Sequence, residues 1–222
     1  RHTATSEGAD LNLAIRPGTD QILYNGLLIW LADRGHFDRD FIARHTSGLD
    51  GALAVARDSA PSVRRVAAVT GLDEADVELF FSWFGSTRRV VSCYSQGVNQ
   101  SAQGTDKVNA IINCHLATGM IGKPGAGPLS FTGQPNAMGG REVGGLANML
   151  AAHMGYSEPE RDRVRRFWGA PNLARSEGLK AVQMLDAIAD GRIKALWVMG
   201  TNPAVSLPRA DCVREAMQRL DL

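Results

Sequence analysis

Apolar and polar residues alternate over residues 11–15, placing Leu11, Leu13 and Ile15 on one face ahead of Arg16-Pro17-Gly18, the pattern of a short strand ending in a turn. A helix follows. Thr19 or Asp20 caps it, Ile22, Leu23, Leu27, Trp30 and Leu31 form a broad apolar face, and Gly35 terminates it. Asp38 opens a shorter helix through Phe41 and Ile42; further helices are expected over residues 49–57 and 62–70, the second with Pro61 at its first position. Asp73 starts another, whose Val77, Phe80, Phe81 and Phe84 recur at helical spacing and pack inward. Val90-Val91 then marks a buried strand that feeds the polar loop Tyr94-Ser95-Gln96-Gly97-Val98-Asn99-Gln100. Thr105 or Asp106 begins a helix through Ile111, Ile112 and Leu116 that ends at Gly119. Residues 120–141 read as one long irregular stretch, a length that in compact domains usually carries function. Helices are expected over residues 144–154, 159–168 and 178–190, and residues 195–199 read as a second buried strand running into Gly200-Thr201-Asn202-Pro203. Strands alternating with helices imply an α/β fold with a mainly parallel sheet and flanking helices.

Composition narrows the classes. The 222 residues are 44% hydrophobic and 21% charged, in the globular range and large enough to bury a core without staples. Lys+Arg 24 against Asp+Glu 23 leaves a net charge of +1, which argues against nucleic acid as a partner. The longest apolar run, residues 26–32, is far shorter than the roughly 20 residues of a membrane span. Glycine is in excess, 24 residues where average usage gives about 16, and most of the excess falls between Gly97 and Gly145, where close backbone approach or positive φ is needed. Cys93, Cys114 and Cys212 form no CxxC pair, favouring a reducing compartment and cytoplasmic location and offering no zinc site. All three are expected to be buried structural thiols. The chain begins at Arg1 without a signal segment, and the expectation is that it has been cut from something longer.

Three loops follow expected strands: residues 16–20, 95–100 and 200–202. In a parallel sheet such loops converge on one crevice, and these carry an Asp, two Gln, an Asn and exposed backbone N–H groups, a set suited to a purine, pterin or phosphate. Taken singly, each is also an ordinary polar turn. No GxSxG, GxxxxGK[ST] or HExxH occurs, and His2, His36, His45, His115 and His153 are dispersed, so no metal ligand is assigned; His115 reads as a packed histidine with a satisfied ring nitrogen. Arg141 follows Gly139-Gly140 after a stretch that includes Gln134; it either presents its planar fork to an oxyanion or pairs with Glu142.

Gly97-Val98-Asn99-Gln100, Gly104-Thr105-Asp106-Lys107-Val108-Asn109-Ala110, Thr118-Gly119, Gly122-Lys123-Pro124-Gly125 and Thr132-Gly133-Gln134-Pro135-Asn136-Ala137-Met138-Gly139-Gly140-Arg141-Glu142-Val143-Gly144 together resemble the molybdopterin oxidoreductases of the dimethyl-sulfoxide-reductase superfamily. Within it they are most similar to nitrate reductase catalytic subunits of the assimilatory type, and Arg16-Pro17-Gly18-Thr19-Asp20 and Met199-Gly200-Thr201-Asn202-Pro203-Ala204 extend the resemblance over nearly the whole chain. Formate dehydrogenases share the TG-IG-PG segment, but their later motif looks more like GAxDMG than Gly140-Arg141-Glu142-Val143-Gly144.

The resemblance implies a Rossmann-like internal segment of a larger multidomain subunit, divided into a helix-rich part, 1–92, and a cofactor- and funnel-lining part, 93–222. The cofactor implied is molybdenum bis(molybdopterin guanine dinucleotide), and the reaction is nitrate to nitrite. Gly18, Thr19 and Asp20 would contact a nucleotide portion, with Asp20 accepting from a guanine edge; Gln96, Gln100 and Asn202 match further cofactor contacts; Gln134 and Arg141 match the substrate funnel. Gln96 in place of the Met common in periplasmic enzymes, and one residue fewer between Gln134 and Arg141, both fit the assimilatory branch. The family's 4Fe–4S cysteines, its molybdenum-ligating cysteine and its closing C-terminal domain have no counterpart here, so the piece alone is expected to be inactive. It would need the remaining domains of the subunit and an electron-donor protein or reductase domain. The alternatives are a fragment of a formate dehydrogenase or other molybdenum oxidoreductase, and a non-catalytic nucleotide-binding domain.

Overall fold

The computed structural model describes residues 3–131, 133, 134 and 136–222. The chain divides into two compact units, residues 1–133 and 134–222. The point after residue 92 where a change of character is expected falls inside the first unit and within a strand, Val91–Tyr94.

In the first unit α1 (Ala4–Glu7) precedes α2 (Asp20–Asp33), α3 (Arg39–His45), α4 (Leu49–Ser59), α5 (Val63–Thr70) and α6 (Glu74–Ser86). Then come β1 (Val91–Tyr94), α7 (Gln96–Asn99), α8 (Gly104–Ala117) and β2 (Gly127–Ser130). α2 is apolar nearly all round, and a helix of that kind belongs at the centre. It packs against α4, α5, α6 and α8. Gly26 makes the α5 approach possible, since a Cβ there would lie 2.2 Å from Val66 Cγ2. Leu27, Leu31, Val66, Val77, Phe81, Phe84 and Cys114 form the core, as the helical spacing of the α6 aromatics predicts. Ser62, rather than Pro61, begins α5: its hydroxyl accepts from the Arg65 N–H as N-cap.

β1 and β2 pair in parallel, with Val91 opposite Gly127 and Tyr94 opposite Ser130. β1, α7, α8 and β2 are therefore a strand–helix–strand unit, the α/β connection expected from the sequence. β2 lies inside the stretch expected to be irregular; its Gly127-Pro128-Leu129-Ser130 has no alternation to betray it. Residues 11–15 form no strand. Leu13 and Ile15 pack on the core while the Ile15 N–H turns back to the Leu13 carbonyl and the Arg16 N–H donates to Thr70 O.

The second unit holds α9 (Ala137–Glu142), a short 3-10 turn (Ala151–His153), α10 (Glu158–Trp168), α11 (Ala181–Ala189), α12 (Pro203–Ser206) and α13 (Ala210–Met217). Leu185, Ile188, Val213 and Ala216 make its core. The helix expected over residues 144–154 does not form. Gly144 adopts φ 78°, a Cβ on it would lie 2.7 Å from the Ala151 nitrogen, and Ala152 and His153 also have positive φ, so the chain doubles back on itself. Residues 195–199 likewise form no strand: the Leu196 N–H donates to Leu222 O, and Trp197 and Met199 are 85% and 73% exposed.

Candidate functional site

In the first unit α2 and α8 run alongside each other and opposite to the strands, an arrangement that gathers its polar loops. Asp20 meets Lys107, and the Cys114 Sγ donates to the Tyr24 carbonyl, so the pairing advances the same way along α2 and α8. At the far end of α8, His115 reaches Ser92 in β1, whereas α7, which follows β1, packs on the start of α8. The carboxyl ends of the strands and the amino ends of two 14-residue helices therefore lie together, which is where parallel α/β units place ligands.

Three pieces of chain border this end. In the first, Gly18 turns with φ 87° and has open space where a Cβ would point, the Thr19 hydroxyl donates to Arg16 O at 2.7 Å, and Asp20 opens α2. The Arg16 side chain anchors the turn by donating to Ala68 O and Val69 O, carbonyls of the last turn of α5. The second is the loop after β1, where Gln96 starts α7, Gln100 follows its last residue, and Gly104 allows α7 to touch α8. A Cβ on Gly104 would lie 2.1 Å from Asn99 O. The third is the chain leaving β2: Ser95 Oγ contacts both Phe131 O and Gln96 Oε1, and the Gln96 amide lies 3.5 Å from where a Gly133 Cβ would point. Thr132 and Pro135 of the glycine-rich motif fall outside the described residues, as does His2.

Asp20 and Lys107 are the charged pair of this end. Lys107 Nζ lies 2.8 Å from Asp20 Oδ2; the lysine side chain is 5% exposed and the aspartate 22%. The sequence offered no sign that Lys107 would be buried, since it stands beside Asp106 in the first turn of α8.

Farther along α2, α8 and β1 lies a neutral polar layer. Burial, aided by the adjoining Cys114, pushes the Tyr24 phenol up to about 12, against a hydrogen bond from Ser92 that opposes the rise. Burial raises the Cys114 thiol and lowers His115 to about 4. His115 Nε2 lies 2.8 Å from Ser92 Oγ, but Nδ1 has no partner, so the expectation of a satisfied ring is met at one nitrogen only. None of these groups is poised for proton transfer near neutral pH. The expectation of three buried thiols holds for Cys114 alone. Cys93 points outward from β1 beside Leu129, and Cys212 lies on α13 next to the inward-facing Val213, so both are exposed.

The other sequence candidates lie in the second unit. Gln134 is exposed in a bend before α9, and Asn136 caps that helix by accepting from the Gly139 N–H. Arg141 occupies the last turn of α9, exposed, and forms no ion pair with Glu142 or any other carboxylate among the described residues. Asn202 precedes α12, where its carbonyl accepts from the Ser206 hydroxyl while its amide stays exposed.

Residues 2–222 match the molybdopterin oxidoreductase family. The chain belongs to that family. It is 48% identical over 215 residues to a nitrate reductase of Shewanella frigidimarina, covering 97% of this chain and 23% of that protein. It is 36% identical over 223 residues to the assimilatory nitrate reductase catalytic subunit of Bacillus subtilis, covering 99% and 31%. The acetylene hydratase of Pelobacter acetylenicus superposes with a TM-score of 0.71 at 14% identity, over all of this chain and 33% of that one, which speaks to the fold. The chain thus spans a quarter to a third of the length of these molybdopterin oxidoreductase relatives, as the sequence motifs led us to expect of an internal segment.

A molybdenum–pterin cofactor is what the family implies, and the first unit offers polar groups of the kind that hold such a group. A partly exposed carboxylate, amide side chains, an open positive-φ glycine and two helix amino ends match a purine edge and phosphates. No group of three His, Cys, Asp or Glu among the described residues is arranged to hold a metal ion.

Proposed function

We propose that this chain is a cofactor-cradle and substrate-funnel segment of a nitrate reductase catalytic subunit that carries molybdenum bis(molybdopterin guanine dinucleotide). The observation that carries the reading is the gathering, at the strand ends of the first unit, of the Gly18–Asp20 turn, the Gln96–Gln100 loop and the chain after β2, in a chain 48% identical to a nitrate reductase. When bound, the cofactor supplies the two-electron oxygen-atom chemistry that converts nitrate to nitrite.

The chain's own residues bind and orient. Gly18 lets the backbone approach the nucleotide, and the Asp20 carboxylate accepts from the N–H donors of the guanine edge. Gln96, Gln100 and Asn202 offer amide groups to the pterin and nucleotide. Gln134 donates to nitrate, and the Arg141 guanidinium, free of a carboxylate partner among the described residues, draws in and aligns the anion through charge-assisted hydrogen bonds. The 4Fe–4S cluster and the molybdenum ligand belong to other parts of the subunit. Electrons arrive through those parts from a donor protein or reductase domain, in the cytoplasm.

The test is made on the complete protein from its source. Nitrate-dependent oxidation of reduced viologen is expected. Formate-dependent dye reduction without nitrate reduction would replace this reading with the formate dehydrogenase one, and the absence of both activities in a molybdenum-loaded preparation would overturn it.

A further inference from the structure

We propose that Lys107 is a positioning residue that holds the Asp20 carboxylate in the orientation needed to recognise a guanine edge, an inference that rests on the assignment of Asp20 to the nucleotide site. Lys107 projects from the first turn of α8 with its residue only 4% exposed, and its ammonium meets Asp20 Oδ2 at 2.8 Å. Asp20 is its sole carboxylate partner within ion-pair distance among the described residues.

Stability is a poor reason for such a pair. Removing a lysine from water is costly, and a well-packed apolar pair of similar size commonly does as well or better. Nor does Asp20 serve as a helix cap, for its carboxylate takes no backbone N–H of α2. Orientation is what the pair provides. An aspartate at the first position of a helix samples several rotamers when solvated; the buried ammonium selects one. One oxygen is engaged from the protein side. The other takes no hydrogen bond among the described residues, and the carboxylate, 22% exposed, keeps lone pairs free for a ligand. A guanine edge presents two adjacent N–H donors, which a fixed carboxylate meets together and a mobile one does not.

The experiment compares Asp20→Ala, Lys107→Met and wild type as complete holoenzymes, measuring GMP released by acid hydrolysis per folded chain, the rate of cofactor loss on dialysis well below the melting midpoint, and the midpoint itself. Lys107→Met is expected to lose the nucleotide-bearing cofactor about tenfold faster than wild type, approaching Asp20→Ala. If Asp20→Ala retains its cofactor at the wild-type rate, the nucleotide assignment fails. If Asp20→Ala loses it and Lys107→Met does not, the assignment stands and the positioning role fails, leaving Lys107 a structural residue that moves the midpoint alone. Should Lys107→Met not fold, Lys107→Gln, which keeps a donor but removes the charge, is read by the same criteria.

Discussion

His115 Nε2 lies 2.8 Å from the Ser92 hydroxyl, tying the end of α8 to β1, while its Nδ1 has no partner and its ring packs edge-on against Phe84. The imidazole is neutral in the fold because burial lowers it to about 4, against about 6.5 in an unfolded chain. Above pH 6.5 it is neutral in both states and contributes nothing to pH dependence. Between 6.5 and 4 the unfolded chain takes up a proton that the folded one refuses, so stability falls as pH falls, by a total of about 3 kcal/mol. Denaturant titrations of the complete protein and of His115→Gln, compared across this range, are expected to show that loss in the wild type and not in the variant. Equal slopes would place the shift elsewhere.

Gly104 and Gly97 make a matched pair. A Cβ at Gly104 meets the Asn99 backbone carbonyl, which cannot swing aside as a side chain does, whereas one at Gly97 meets nothing within 4 Å. Gly104→Ala is expected to destabilise the protein by about 1–3 kcal/mol and to weaken cofactor retention by moving α7 off α8. Gly97→Ala is expected to leave both unchanged, as read by thermal melts and molybdenum content.

Arg16 belongs to the motif of the Gly18–Asp20 turn but acts away from it, donating to carbonyls of the last turn of α5. Arg16→Met is therefore expected to reduce stability by about 1–2 kcal/mol, the worth of charge-assisted bonds to helix-end carbonyls. Once folded, the variant is expected to keep its cofactor. A melt unchanged from wild type would contradict this placement.

Arg141 stands on the other unit, without a carboxylate partner among the described residues. In the complete enzyme Arg141→Ala is expected to raise the nitrate KM about tenfold or more while molybdenum content stays at the wild-type level. Unchanged steady-state kinetics would remove its role toward substrate.

The sequence disclosed its helices better than its strands. The α6 stripe of Val77, Phe81 and Phe84 and the apolar girth of α2 declare burial through period alone. β2 did not, because four residues containing Gly127 and Pro128 show no alternation, and its place is decided by a partner 36 positions earlier in the chain. The apolar runs at 11–15 and 195–199, expected as strands, form none, because an apolar run becomes a strand only where another strand offers it a ladder. At the site, the Gly18–Asp20 turn and the Gln96 loop were legible as polar segments between regular elements. Lys107 was not: a lysine among Asp106 and Asn109 reads as solvated, and only the approach of α2 to α8 buries it.

Whether this chain forms part of a guanine-nucleotide-bearing molybdenum cradle is decided by analysing the complete protein purified from its source for molybdenum and for nucleotide released by acid hydrolysis. The expected result is molybdenum in the protein, with guanine as the only nucleotide base and two GMP for each metal atom. A complete, folded protein with neither molybdenum nor GMP would contradict it and leave a non-catalytic domain.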